Sequence, residues 1–198
     1  MQIRSLLSLA AAVALAAPAA ARAQAVEKLV KRGAYLVRLG GCNDCHTPWK
    51  LDPKRGPVPD MSRMLSGHSS DGPDPAGKVV PPDIGIIGPT FTSFAMPFGI
   101  VYAPNLTPDR ETGIGAWSEK VFIQSMRTGR HLGGARNRPI LPPMPWQSLS
   151  EAEEGDLKAM FAYLKSIPPI RNKVPEHKVP PEVIAQMKAA ADQAPAAH

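Results

Sequence analysis

Only two cysteines, Cys42 and Cys45, occur among the 198 residues. None remains for a disulfide framework, and a four-cysteine metal site is excluded. Long apolar runs are equally scarce: beyond residue 17 no stretch is apolar enough to cross a bilayer. Aromatic residues make up 6% of the chain and no basic run is interleaved with them, so a formal net charge of +6 is a weak pointer to nucleic acid. It reads instead as a docking or solubility feature. Residues 47–98 lack the unbroken periodicity of a long helix, because proline and glycine recur throughout them.

The chain opens Met-Gln-Ile-Arg, continues with an apolar Leu/Ala/Val run over residues 6–17, and then reaches Pro18 and small residues. That order predicts a secretory signal peptide over residues 1–23, with cleavage after Ala23 or, alternatively, after Ala25. Its apolar core is too short for a comfortable membrane span. The leader carries Arg4 and Arg22 and no acid, so its removal lowers the formal charge of +6 by two. The expected compartment is the periplasm.

Both cysteines lie in Cys42-Asn43-Asp44-Cys45-His46. Cys-x-x-Cys-His is the attachment signal for a c-type haem. Each thiol adds across a vinyl group to give a thioether, and the adjacent imidazole is held beneath the iron. Two intervening residues in a helical turn match the separation of the vinyls. Three other readings compete. A zinc site needs four ligands, and only His68, His131, His177 and His198 are available to join the cluster; none forms a recognisable second half. A thioredoxin-like pair sits between strand and helix, whereas the residues before Cys42 have a helical pattern. Two structural cysteines are the last alternative. Export favours the haem.

Residues 26–39 place Val26, Leu29, Val30, Leu36, Val37 and Leu39 at helical spacing, with Lys28, Lys31, Arg32 and Arg38 on much of the other face. Gly40-Gly41 stops this helix. Gly33 inside it costs up to about 1 kcal/mol relative to alanine, which a closely crossing second helix would explain. Within 47–98, residues 57–60 and 71–75 read as loops, while 83–87 and 99–102 suit short strands able to pair as a small hairpin. This stretch is either a flap over a haem edge, a partner-binding loop or a surface excursion without a task.

Ser118 is the expected N-cap of a second helix, with Glu119 in its first turn and Gly129 at its end. Arg127, Arg130, His131, Arg136 and Arg138 follow as a basic run, suited to haem propionates, to an acidic partner or to a solvated face. His131 is a conceivable iron ligand at a glycine-rich site. Met144 is the better one: it stands in Leu141-Pro142-Pro143-Met144-Pro145-Trp146, where prolines stiffen the loop and remove amide donors. A thioether is a soft ligand for haem iron, and Met/His ligation raises the potential. Met96, in Ala95-Met96-Pro97, is the reserve. Ser150-Glu151-Ala152-Glu153 has the form of a capping box. The helix after it carries Leu157, Met160, Phe161 and Leu164 as a buried stripe. Residues 169–198 form a Lys/Pro/Ala-rich tail, compatible with a short helix after Pro181 and expected to lose order from Ala189. Asn105-Leu106-Thr107 is read as turn structure rather than a glycosylation acceptor.

The order helix, Cys-x-x-Cys-His, loop, helix, methionine loop, final helix resembles a class I cytochrome c. More specifically, residues 27–167 are similar to one haem module of the cytochrome c subunits of periplasmic alcohol and gluconate dehydrogenases. The resemblance is carried by Gly33-Ala34-Tyr35-Leu36, by residues 97–109 (Pro-Phe-Gly-Ile-Val-Tyr-Ala-Pro-Asn-Leu-Thr-Pro-Asp), by residues 111–118 (Glu-Thr-Gly-Ile-Gly-Ala-Trp-Ser), by Arg127-Thr128-Gly129 and by Pro143-Met144-Pro145-Trp146. It implies an all-α, cytochrome c-like haem domain over residues 26–168, with the Pro/Gly-rich insertion able to hold a small β-hairpin. It also implies first and last helices crossing near Gly33 and Tyr163, and Met144 rather than Met96 at the distal position. Those subunits usually hold three such modules and often a membrane-associating C-terminal helix, whereas one module and no such helix are found here.

The expectation is therefore a periplasmic electron carrier and no enzyme, with one haem c fastened by Cys42 and Cys45 and ligated by His46 and Met144. A dehydrogenase would be its donor and an oxidase or other cytochrome its acceptor. The alternatives are a haem enzyme with an open distal site, such as a peroxidase or sulfur-compound oxidoreductase, and a zinc-binding module.

Overall fold

Two helices far apart in sequence make the frame, α1 (Ile3–Leu39) and α5 (Glu154–Ser166). The computed structural model describes residues 3–75 and 80–193, with side chains described for 20–75 and 80–192. Met1 and Gln2 of the expected leader, and His198, lie outside the described residues. The first helix runs back without a break to Ile3, well beyond the residue 26 that periodicity suggested.

A side chain on Gly33 would overlap the carbonyl oxygen of Ala159 and come within 2.8 Å of Cβ of Tyr163. The crossing of α1 and α5 is therefore a backbone approach that glycine alone allows. Arg32 clamps the same crossing with two hydrogen bonds of 2.9 Å to the carboxylate of Asp156. Below it Val37 of α1 meets the stripe of α5, Leu157, Met160, Phe161 and Leu164, all buried. Phe122 and Met126 of α3 (Glu119–Thr128) complete this core. The hydroxyl of Ser118 accepts from the Val121 amide at the start of α3, and Gly129 ends it with positive φ, as expected.

The insertion is less irregular than its composition suggests. After the short helix α2 (Cys42–His46), β1 (Trp49–Asp52) and β2 (Gly56–Pro59) form an antiparallel hairpin. Residues 57–59 are thus strand and not loop. Pro57 and Pro59 sit two apart, so their missing donors fall on one side of the strand, where an edge tolerates them. A second sheet has the order β3 (Ile86–Ile87), β4 (Ser93–Met96), β5 (Gly99–Tyr102). The expected hairpin between 83–87 and 99–102 is corrected accordingly: each pairs with β4, and β4 lies between them. A purely helical description gives way to a helix-dominated fold with two small antiparallel sheets.

Ser150 does not cap the last core helix. It ends the short α4 (Trp146–Ser150), its hydroxyl donates to the Gln147 carbonyl at 2.7 Å, and its own carbonyl accepts from Arg127. Helix α5 instead begins beyond Glu153, which makes no side-chain cap. The described part of the tail ends in a helix that reaches Gln193. Lys178 exchanges two 2.9 Å backbone hydrogen bonds with Ile100, and α6 (Pro181–Gln193) sets Val183, Ile184 and Met187 against Val101, Leu141 and Val179. Helix therefore continues through Ala189, where composition suggested loss of order, because Arg130 holds Asp192 and the Lys188 carbonyl from below. Among the described residues no helix is long and apolar enough to cross a membrane.

Candidate haem site

Gly40 and Gly41 end α1, and α2 starts at once, so the whole pentapeptide Cys42–His46 is one helical turn. Asn43 and Thr47 fasten this turn to the chain. The Thr47 hydroxyl donates to the Asn43 side chain at 2.9 Å and accepts from the Leu65 amide at 2.9 Å. The amide of Gly67 reaches the His46 carbonyl at 2.8 Å.

His46 is buried, and its Nδ1 lies 2.9 Å from the carbonyl oxygen of Pro104. A carbonyl can only accept, so Nδ1 carries the proton and the lone pair is left on Nε2. A partner of this kind on the second nitrogen is what orients a ligating histidine. Burial pushes the imidazole pKa down, against a smaller opposing effect of the Pro104 bond, and keeps the ring in its neutral, ligating form. Pro104 is placed by the turn that follows it. Asn105 accepts from the Thr107 amide at 2.9 Å and the Thr107 hydroxyl at 2.8 Å, and its Nδ2 donates to the Ile170 carbonyl at 2.8 Å.

Burial also pushes the Cys42 thiol up to about 11 and raises that of Cys45. A redox Cys-x-x-Cys pair depends on a lowered thiol pKa, so these cysteines do not suit thioredoxin-like exchange. Nor do the described residues offer the zinc alternative a group of three His, Cys, Asp or Glu side chains able to hold a metal.

Cys42, Cys45 and His46 line a cavity of about 1080 Å³, counting its open mouth. The walls are mostly apolar, with Phe94, Val101, Ile114, Phe122 and Leu164 among them. Met144 lines the same cavity from the loop before α4, in which the Pro142–Pro143 peptide is cis. Met96 does not line it; its thioether lies at the end of β4 against Gly85. His131 and His177 do line it, while His68 is buried elsewhere, with Nδ1 2.8 Å from the Thr92 hydroxyl and its ring against Tyr102. Two thiols in one helical turn, a neutral imidazole with its second nitrogen engaged, a thioether and a mostly apolar lining fit a covalently held haem.

Sequence reasoning weighed His177 only as a ligand for zinc, and it missed the Pro104 carbonyl as part of the site. His177 lies in a segment without periodicity, and the pairing of Lys178 with Ile100 and the bond from the Tyr102 amide bring it to the cavity.

No protein-family model matches the chain. It is 30% identical over 174 residues to the cytochrome c subunit of a quinone-type alcohol dehydrogenase from Gluconobacter oxydans, covering 85% of this chain and 29% of that protein. It is 28% identical over 158 residues to the cytochrome c subunit of a gluconate 2-dehydrogenase from Pantoea cypripedii, covering 79% and 27%. A shorter match, 40% identical over 83 residues, is to a nicotinate dehydrogenase subunit from Pseudomonas putida, covering 42% of this chain and 7% of that protein. The chain spans less than a third of the length of each of these relatives. By sequence, the chain resembles a c-type cytochrome of the kind that forms the cytochrome c subunits of alcohol and gluconate dehydrogenases.

Proposed function

We propose that the chain carries one haem c and passes single electrons between a dehydrogenase and the respiratory chain on the periplasmic side of the membrane. The observation that carries this reading is the meeting, on the walls of one apolar cavity, of the Cys42–His46 turn and the Met144 thioether. The relatives named as cytochrome c subunits of dehydrogenases support the class of activity.

The haem supplies a one-electron iron couple. Cys42 and Cys45 fasten it by thioethers. The Pro104 carbonyl holds the His46 ring so that Nε2 would be free to ligate the iron. Met144, on a loop stiffened by Pro142, Pro143 and Pro145, would supply its thioether as the second protein ligand. Ligation of the iron by protein side chains alone would keep substrates from it, and the mostly apolar walls would limit access of water. The surrounding residues then have little to rearrange between oxidation states, which suits a relay better than a catalyst.

Two measurements test this reading. Expressed with its leader in a strain able to attach c-type haem, the chain is expected to keep haem through a denaturing gel, with one iron per chain. Cys42→Ala and Cys45→Ala each remove one thioether and shift the alkaline pyridine spectrum. A colourless product containing zinc refutes the proposal. Electron exchange with an acidic partner is expected to slow as salt is added, because the exposed basic side chains are screened; a rate independent of salt argues against charge-guided docking.

A further inference from the structure

Among the described residues, Arg138 is the one permanently charged side chain on the cavity wall. Arg138, His131 and His177 line it from three separate segments: His131 from the 3-10 turn His131–Gly133, Arg138 from the loop after that turn, and His177 from the strap that leads into α6. Among the described residues no Asp or Glu lines the cavity. Among the described residues Arg138 forms no ion pair, and its one side-chain hydrogen bond is 3.1 Å to the carbonyl of its neighbour Pro139. A half-buried guanidinium without a counter-ion is costly, and an anion in the cavity would remove that cost.

His177 differs from His46 in the direction of its second nitrogen. Its Nδ1 accepts from the backbone amide of Tyr102 at 3.2 Å. An amide can only donate, so the neutral ring holds its proton on Nε2, and that atom is a donor whether or not the ring is charged. His46 thus offers a lone pair and suits iron, while His177 offers a proton and suits an anion.

The strap that carries His177 is built in. At Gly99, with φ of 136°, any side chain would overlap the Lys178 carbonyl. Lys178 pairs with Asp74, and Asp74 accepts from the Tyr102 hydroxyl, whose ring lies parallel to that of His177 at 6.4 Å between centroids.

We propose that Arg138 and His177 form the anion-holding end of the cavity, where they bind a propionate carboxylate of the haem, so that the C-terminal strap is part of the cofactor site. This rests on the haem reading above and assigns a role to a residue that lies beyond the cytochrome-like stretch 27–167.

The test uses the full haem-loaded chain and its variants Arg138→Gln, Arg138→Lys, His177→Phe and His177→Gln. Covalent haem, the far-red sulfur-to-iron band and the midpoint potential are measured at one fixed pH. Haem and band are expected to persist in all four. Loss of the Arg138 charge leaves the carboxylate acting on the iron uncompensated, so Arg138→Gln is expected to lower the reduction equilibrium about tenfold, or about 59 mV for one electron. Arg138→Lys stays near the parent. His177→Phe shifts the potential in the same direction, and His177→Gln, which keeps a donor, restores most of it. An unmoved potential in Arg138→Gln, with haem and band intact, overturns the proposal and leaves the electron-transfer reading standing. Should His177→Phe fold poorly, Arg138→Gln against Arg138→Lys decides alone. Absence of covalent haem from the parent chain overturns both readings.

Discussion

Gly33→Ala puts a methyl group into the backbone of Ala159, 2.8 Å from Cβ of Tyr163. Overpacking of this kind costs about 1–3 kcal/mol or more. A thermal melt of the variant is expected to show that loss, and an unchanged midpoint would contradict the close crossing of α1 and α5. The residue stands out as an anomaly in the sequence itself: a glycine inside a helix needs a reason, and a crossing helix is one. Cys42, Cys45 and His46 are legible for a similar reason, because their chemistry is local and their spacing restricts what they can do. Ser150 is not. Its capping-box pattern is real, but the hydroxyl has a competing acceptor in the Gln147 carbonyl, and the end of α4 claims it.

At the scale of elements, the segment from Lys178 to Gln193 depends on two polar anchors. The first is Arg130, whose buried side chain holds Asp192 of α6. Asp192→Asn weakens that partner, and a buried donor left short of an acceptor costs about 1–3 kcal/mol. The expected result is faster hydrogen exchange across α6 with α1, α3 and α5 unchanged; equal protection in the variant would show that α6 is held by Val183, Ile184 and Met187 alone. The second anchor is His177. Burial, with the positive charges of Arg138 and His131 beside it, pushes its pKa down from 6.5 to about 4, with Tyr102 facing it and Asp74 behind Tyr102. A lowered histidine favours the neutral folded form, so its stabilising contribution is whole above about 6.5 and is lost as pH falls toward about 4. In the haem-free chain, acidification through that window is expected to expose the Ile100 and Lys178 amides to exchange before the α1–α5 crossing. Protection that is flat with pH would contradict this. Little of this region is legible in the sequence. The apolar residues of 83–87 and 99–102 suit strands, but their true partner, Ser93-Phe94-Ala95-Met96, has no alternation of its own, and its register is set by pairing. The prolines of β2 hide a strand whose missing donors all point one way. The strap lacks any period, and its place comes from the backbone exchange with Ile100 and from the space that Gly99 leaves.

For the whole molecule, a helical frame brings two short signals into one cavity, the turn at Cys42 and the loop at Met144, about a hundred residues apart. The insertion and the tail, peripheral by sequence pattern, supply the walls: β4 and β5 give Phe94, Val101 and Tyr102, and the strap gives His177. The central proposal is that His46 and Met144 would both ligate the iron of one haem and so suit the chain to a relay. The most direct test is the far-red absorption of the oxidised, haem-loaded protein. The account predicts a sulfur-to-iron band that disappears in Met144→Ala and survives in Met96→Ala. A high-spin spectrum in the unaltered protein, or a band that persists without Met144, would contradict it.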